Sequence, residues 1–171
     1  MTKYLFLYST TDGHTKRICE YIGNILKQQN HEIKINPISL ELKKPSEYDA
    51  IILGASIRYG KHQKSVFNFI SKHKDLLETK KSAFFSVNVV ARKSEKNSPN
   101  TNPYIKKFLK TSRWTPNKLG VFAGKVDYPS YKFFDKYIIR MIMWITKGPT
   151  DISQSYEFTD WKVVENFAKT L

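Results

Sequence analysis

The chain lacks several features that would settle its role quickly. Cys19 is the one cysteine among 171 residues, so no intramolecular disulfide can form, which fits a reducing compartment. No apolar run approaches the ~18 residues of a membrane span; the most apolar stretch, Tyr137 to Ile145, is shorter and contains Arg140. No secretory leader is expected, because Met1-Thr2-Lys3 passes directly into a strand-like run. Gly-x-x-x-x-Gly-Lys is missing, which excludes an NTPase phosphate loop, and so is the dinucleotide signature Gly-x-Gly-x-x-Gly. No carboxylate pair is visible. His14, His31, His62 and His73 lack metal-ligand spacing and read as surface or loop residues, so no metal is expected. Acidic residues are few, 15 against 29 lysines and arginines, for a formal net charge of +14. A surface that basic favours an anionic partner: nucleic acid, a membrane or an acidic substrate.

What is present reads as one domain over residues 1–171. Tyr4 to Tyr8 is a near-continuous apolar run, as in a strand buried on both faces. Ile18, Ile22, Ile25 and Leu26 recur at helical spacing, so Gly13 to about Gln29 reads as an amphipathic helix. Ile33 and Ile35 mark a second strand, at an edge, and Tyr48 to Ser56 a third. A helix carrying Val66, Phe67, Phe69 and Ile70 ends near His73, and Ala83 to Val87 is the fourth strand. A basic helix follows from Asn102 to Lys110, with Pro103 in its first turn, then a fifth strand from Leu119 to Gly124. Asp160 caps a last helix carrying Val163, Val164 and Phe167. Strands alternating with helices predict a parallel sheet covered on both faces. Two stretches exceed that plan, a polar loop from Arg92 to Asn102 and an insertion over 125–156.

In such sheets ligands sit beyond the carboxyl ends of the strands. The loop after strand one is Ser9-Thr10-Thr11-Asp12-Gly13-His14-Thr15. Its hydroxyls can donate to phosphate oxygens, Gly13 admits close approach, and the helix N-terminus supplies free N–H groups. Hydroxyls without lysine suit a phosphomonoester such as that of FMN; an ordinary capped helix start would use similar residues. Two other loops fall at strand ends, Ala55-Ser56-Ile57-Arg58-Tyr59-Gly60 and Ser86-Val87-Asn88-Val89-Val90-Ala91-Arg92. Tyr59 can lie against a flat ring, and Gly60 can contact its polar edge. Asn88 can bond a flavin carbonyl or ring nitrogen, and Arg58 a carbonyl or a substrate carboxylate.

With these loops the sequence resembles the flavodoxin superfamily and, within it, the quinone-dependent protoporphyrinogen IX dehydrogenases. The resemblance rests on Tyr8 to Thr15, Gly54 to Gly60, Phe85 to Lys93, Phe122-Ala123-Gly124, Gly148 to Asp151 and Thr159-Asp160-Trp161. Two positions depart from the family pattern: Thr11 stands in place of a basic residue, and Lys147-Gly148-Pro149 in place of a Gly-Gly sequence. The resemblance implies a flavodoxin-like, doubly wound α/β fold, with a five-stranded parallel sheet in the order 2-1-3-4-5. It implies FMN as cofactor, held by Ser9 to Thr15, Ala55 to Gly60, Ser86 to Ala91, Gly124 and Thr150. It also implies oxidation of protoporphyrinogen IX by menaquinone or ubiquinone, with Arg58, Tyr59 and Asn88 at the reacting centre. Arg58, Arg92 and Lys93 are candidates to pair with the two propionates, and Tyr137 and Met141 to meet the substrate.

The insertion carries a helical pattern from Tyr131 to Ile145. Phe134, Tyr137, Ile138, Met141, Ile142 and Ile145 share one face, and Lys132, Lys136, Arg140 and Lys147 follow the other. Such a helix suits the interface of an anionic membrane, here through 131–147, on the cytoplasmic side of the cell membrane. A core-packing helix with a solvated basic face has the same pattern. Three other functions fit parts of the sequence: an NAD(P)H-dependent quinone reductase, a flavodoxin-type electron carrier, and a basic nucleic-acid-binding module using Lys106, Lys107, Lys110 and Arg113 with Phe108 and Trp114. Carriers of that type are typically acidic, which this chain is not, and nucleic acid is not the expected partner.

Overall fold

The five apolar runs lie side by side in the computed structural model, which describes residues 1–39 and 44–171. Strand β1 (Lys3–Ser9) is flanked by β2 (Glu32–Pro37) and β3 (Ala50–Ser56). Next come β4 (Lys81–Val87) and β5 (Lys118–Phe122), and all pairs are parallel, in the expected order 2-1-3-4-5. In register, Phe6 stands beside Ile35 and Ile52, and Phe84 beside Leu53 and Leu119.

Alternation along the strands sends side chains to two separate cores. Leu5, Leu7, Ile51, Leu53 and Phe84 pack under α2 (Lys64–Lys72) and α4 (Pro103–Ser112). Tyr4, Phe6, Ile52 and Phe85 pack under α1 (His14–Gln28) and α6 (Trp161–Ala168). Each large side chain so buried contributes about 1.5–3 kcal/mol before entropy is counted. Phe84 and Phe108 stack with ring centroids 3.7 Å apart. In β3, a Cβ on Gly54 would overlap the Phe85 ring, so that strand needs a glycine there. Cys19 is buried in the α1 face, and burial pushes its thiol pKa up.

Several boundaries differ from expectation. A short helix, α3 (Lys74–Thr79), follows α2 and buries Leu77. The polar stretch after β4 is wound into two 3-10 turns, Val89–Arg92 and Ser94–Lys96. Asn102 caps α4 by accepting from the N–H groups of Tyr104 and Ile105, and Asp160 caps α6 in the same way through Lys162 and Val163. Phe108 and Trp114 are buried in the core, which withdraws the aromatic half of the proposed nucleic-acid patch.

The insertion is closed at its base by a ribbon that the sequence did not announce. Strands β6 (Lys125–Asp127) and β7 (Ser155–Glu157) pair antiparallel. Between them lies α5 (Phe133–Ile145), which starts after a 3-10 turn at Tyr128–Ser130. Val126, Tyr128, Tyr131 and Met143 form a small core of their own. Met143 is the one fully buried residue of α5, with Ile139 packed beside it. The opposite apolar face points outward: Phe134 is 78% exposed and Trp144 74%. The alternative of a core-packing helix therefore fails. Among the described residues no helix is long and apolar enough to cross a membrane.

Candidate functional site

The carboxyl ends of β1, β3 and β4 and the inner flank of α5 enclose a cleft of about 330 Å³, the size of a small-ligand site. Thr10 to Thr15, Ser56 to Gly60, Val87 to Val90 and Gly124 all line it. Three loops far apart in sequence thus meet where the strand pattern placed them.

The first loop is built to receive an anion. Gly13 has φ +84°, a left-handed conformation that costs a glycine nothing, and no atom lies within 4 Å of where its Cβ would be. The Thr10 hydroxyl accepts from the Gly13 N–H at 3.0 Å and holds the loop against α1. Beneath it, Ser9 Oγ and Thr15 Oγ1 are buried without a hydrogen-bond partner among the described residues. Buried orphan hydroxyls cost about 1–3 kcal/mol each. A bound phosphate at the helix N-terminus would satisfy Thr15 Oγ1, which lines the cleft. Ser9 itself lies under the cleft wall rather than in it.

Arg58 crosses from the second loop to the first. Its Nη1 lies 3.0 Å from Asp12 Oδ2 and its Nη2 3.6 Å from Asp135 Oδ2, on α5. The guanidinium also lies 5.0 Å from the centre of the Tyr131 ring. Burial raises the Asp12 pKa, and Arg58 pulls it back. Tyr59 has φ +49°, which turns its ring toward α5, and its hydroxyl donates to Asp135.

Asn88 also holds its own loop. Its Nδ2 donates to Ser86 Oγ, and its Oδ1 accepts from the Ala91 N–H and from Asn102 Nδ2. These bonds shape the loop, and the Nδ2 group has a second N–H to offer where Asn88 lines the cleft. Ser86 Oγ is also hydrogen-bonded to His62 Nε2 at 3.0 Å. His62 lies in the loop before α2, as one of the two expected placements, but is buried there against Phe67, Phe84 and Phe108 and not on the surface. Burial pushes its pKa down to about 4, so it is neutral. His14 lines the cleft with its ring bonded to the Thr159 hydroxyl, and burial lowers its pKa as well.

Four substrate candidates are displaced. Arg92 donates to the carbonyl oxygens of Val89 and Thr146, at 3.0 and 2.8 Å, and so pins the end of α5 instead of meeting a propionate. Neither Arg92 nor Lys93 lines the cleft. Tyr137 and Met141 lie on the outer face of α5; Ile139, Ile142 and Met143 form the wall in their place. Ala55, Ser86 and Ala91 are buried behind the lining, and Thr150 is also outside it. Residues missed in the sequence include Tyr131, Asp127 and Lys125, all from the insertion. The one local signal for Asp135 was an acid interrupting an apolar helix.

Comparison with known proteins agrees with this geometry. Residues 5–153 match the model of the flavodoxin domain. The protoporphyrinogen IX dehydrogenase [quinone] of Escherichia coli K12 is 41% identical over 170 residues, covering 99% of this chain and 94% of that protein. The protein of the same name from Leishmania major is 44% identical, covering 97% of this chain and 73% of that one. Among solved structures, oxidised flavodoxin 2 from Bacillus cereus superposes with a TM-score of 0.52 at 19% identity, over 98% of this chain and 95% of that chain, a likeness of fold. On these grounds the chain belongs to the flavodoxin-domain proteins and, among them, to the quinone-dependent protoporphyrinogen IX dehydrogenase family.

Proposed function

We propose that the protein uses FMN to oxidise protoporphyrinogen IX to protoporphyrin IX, with a quinone as electron acceptor, in haem biosynthesis. The names of its relatives support the substrate and acceptor class. The observation that carries the cofactor is the buried hydroxyl of Thr15, without a partner among the described residues, in the first turn of the helix that opens on the cleft. Thr10, Thr11, Thr15 and the backbone N–H groups of their loop would hold the FMN phosphate. Ser56 to Gly60 and Val87 to Val90 would flank its ring system. When bound, the flavin supplies a two-electron acceptor for the substrate and a two-electron donor to the quinone.

The chain's own residues do the rest. Ile139, Ile142 and Met143 give the cleft an apolar wall suited to a porphyrinogen and keep water from it. Arg58 brings the positive charge that the phosphate loop lacks. Six electrons and six protons leave each substrate in three rounds, so three quinones become three quinols. The outward apolar face of α5, with Lys132, Arg140 and Lys147 exposed beside it, supports peripheral attachment to the cytoplasmic face of the cell membrane through 131–147. There the chain would meet menaquinone or ubiquinone. Anaerobic incubation of the flavin-loaded protein with protoporphyrinogen IX and a soluble quinone tests the reading. Porphyrin fluorescence is expected to rise only when both are present; reduction of the flavin by NADPH without porphyrin formation would favour a nicotinamide-dependent quinone reductase.

A further inference from the structure

Among the described residues, every arginine or lysine lining the cleft already holds a carboxylate of the chain. Arg17 holds Glu157 at 3.0 Å, Lys125 holds Asp127 at 3.1 Å, and Arg58 holds Asp12 at 3.0 Å and Asp135 at 3.6 Å. A substrate carboxylate that pairs with a cation here meets one that already has a carboxylate partner. Three are poor candidates to leave. Glu157 is tied by Trp161 Nε1 to α6, Asp127 shares a short strand with its partner, and Asp12 belongs to the phosphate loop, so none of the three stands on the helix that covers the cleft.

Asp135 differs. It stands on the helix that covers the cleft, its contact with Arg58 is longer than a hydrogen bond, and its side chain is 34% exposed. The two ends of α5 are held by different groups. At the C-terminal end Arg92 grips the Thr146 carbonyl at 2.8 Å and the Gly148 N–H bonds the Met143 carbonyl at 2.7 Å. Near the N-terminal end Asp135 makes the ties to Arg58 and to the Tyr59 hydroxyl.

We infer that Arg58 is the residue that recognises a carboxylate of the tetrapyrrole, and that Asp135 is a placeholder occupying it until substrate arrives. The inference rests on the function proposed above. The substrate carboxylate takes Nη2 of Arg58, Asp135 releases it, and the first turns of α5 move away from the cleft while the Arg92 end stays fixed. Exchanging one carboxylate for another at a guanidinium already oriented by Asp12 and the Tyr131 ring needs little reorganisation. Asp135 is thus a positioning residue acting through Arg58, and Arg58 is what selects for the free diacid.

The test is a fluorescence titration of the full chain, saturated with FMN, with protoporphyrin IX and with its dimethyl ester. Flavin absorbance reports that each variant is folded and loaded. The unaltered protein is expected to prefer the diacid. Asp135→Asn widens that preference about two- to fivefold at low salt, the size expected for freeing a partly exposed ion pair. Arg58→Gln abolishes it, and Arg58→Lys restores part of it. An unchanged preference in Asp135→Asn, equal tightening of both ligands, or a preference surviving Arg58→Gln would overturn the inference. If the diester and the diacid both fail to bind any flavin-loaded form, the proposed function falls and the inference with it.

Discussion

Arg58 Nη1 lies 3.0 Å from Asp12 Oδ2, joining the loop after β3 to the loop after β1 across the cleft. The phosphate loop contains a carboxylate and no lysine or arginine, so a dianionic phosphate bound there would be repelled by Asp12 without this partner. Arg58→Ala is therefore expected to raise the FMN dissociation constant by roughly three- to tenfold. Asp12→Asn in the same chain should restore most of the loss. Calorimetric titration of the four proteins gives the coupling; strictly additive effects would show that the pair does not act on the phosphate.

Thr15 Oγ1 is buried and unpartnered. Thr15→Val removes the hydroxyl at nearly constant volume. The FMN-free protein should become more stable by up to about 1–3 kcal/mol, because an unsatisfied donor has gone. FMN binding should weaken at the same time. Thermal melts and flavin titration must move in opposite directions.

His62 sets a pH dependence of stability. Its ordinary pKa of 6.5 falls to about 4 in the fold, chiefly by burial. Between those values the unfolded chain binds the proton more readily. His62 therefore contributes stability that is fully present above about pH 6.5 and is lost as pH falls toward 4. His62→Gln should lose about 2 kcal/mol less than the parent between pH 7 and pH 4.5 in urea unfolding. His14 is shifted the same way by burial, and its contribution is common to both proteins.

The outer face of α5 should bind lipid. Trp144→Ser combined with Phe134→Ser removes two of its most exposed aromatic residues. Flotation with vesicles rich in anionic lipid should fall severalfold in the double variant, while FMN binding is retained. Raising salt should weaken flotation of the parent, since each nearby Lys or Arg contributes about 1 kcal/mol at an anionic surface. Unchanged flotation in the double variant would remove α5 from the docking surface.

The sheet and the phosphate loop were legible because their signals are local. Tyr4 to Tyr8 is an apolar run of strand length, and Gly13 follows hydroxyl residues where a helix begins. The strand order came with the resemblance, not with the apolar runs. The insertion was less legible. β6 and β7 are three residues each and far apart in sequence, so neither shows an alternation long enough to register. The helical period located an apolar face on α5 but could not say which way it points. The cleft is walled by Ile139 and Met143 on the other flank, which is why Tyr137 and Met141 were misplaced. Arg92 looked free because its partner, the Thr146 carbonyl, is a backbone group 54 residues away. The part Asn88 plays in shaping its loop was not legible because its bonds to Ser86 and Asn102 exist only in the folded chain.

The most direct measurement is the stoichiometry of anaerobic turnover by the flavin-loaded protein. Protoporphyrinogen IX and a quinone are mixed with it, porphyrin is followed by fluorescence, and quinol is followed by absorbance. The expected result is three quinols for each protoporphyrin IX, at a rate well above that without protein. Flavin-loaded protein that forms no porphyrin, or forms it without producing quinol, would contradict the account.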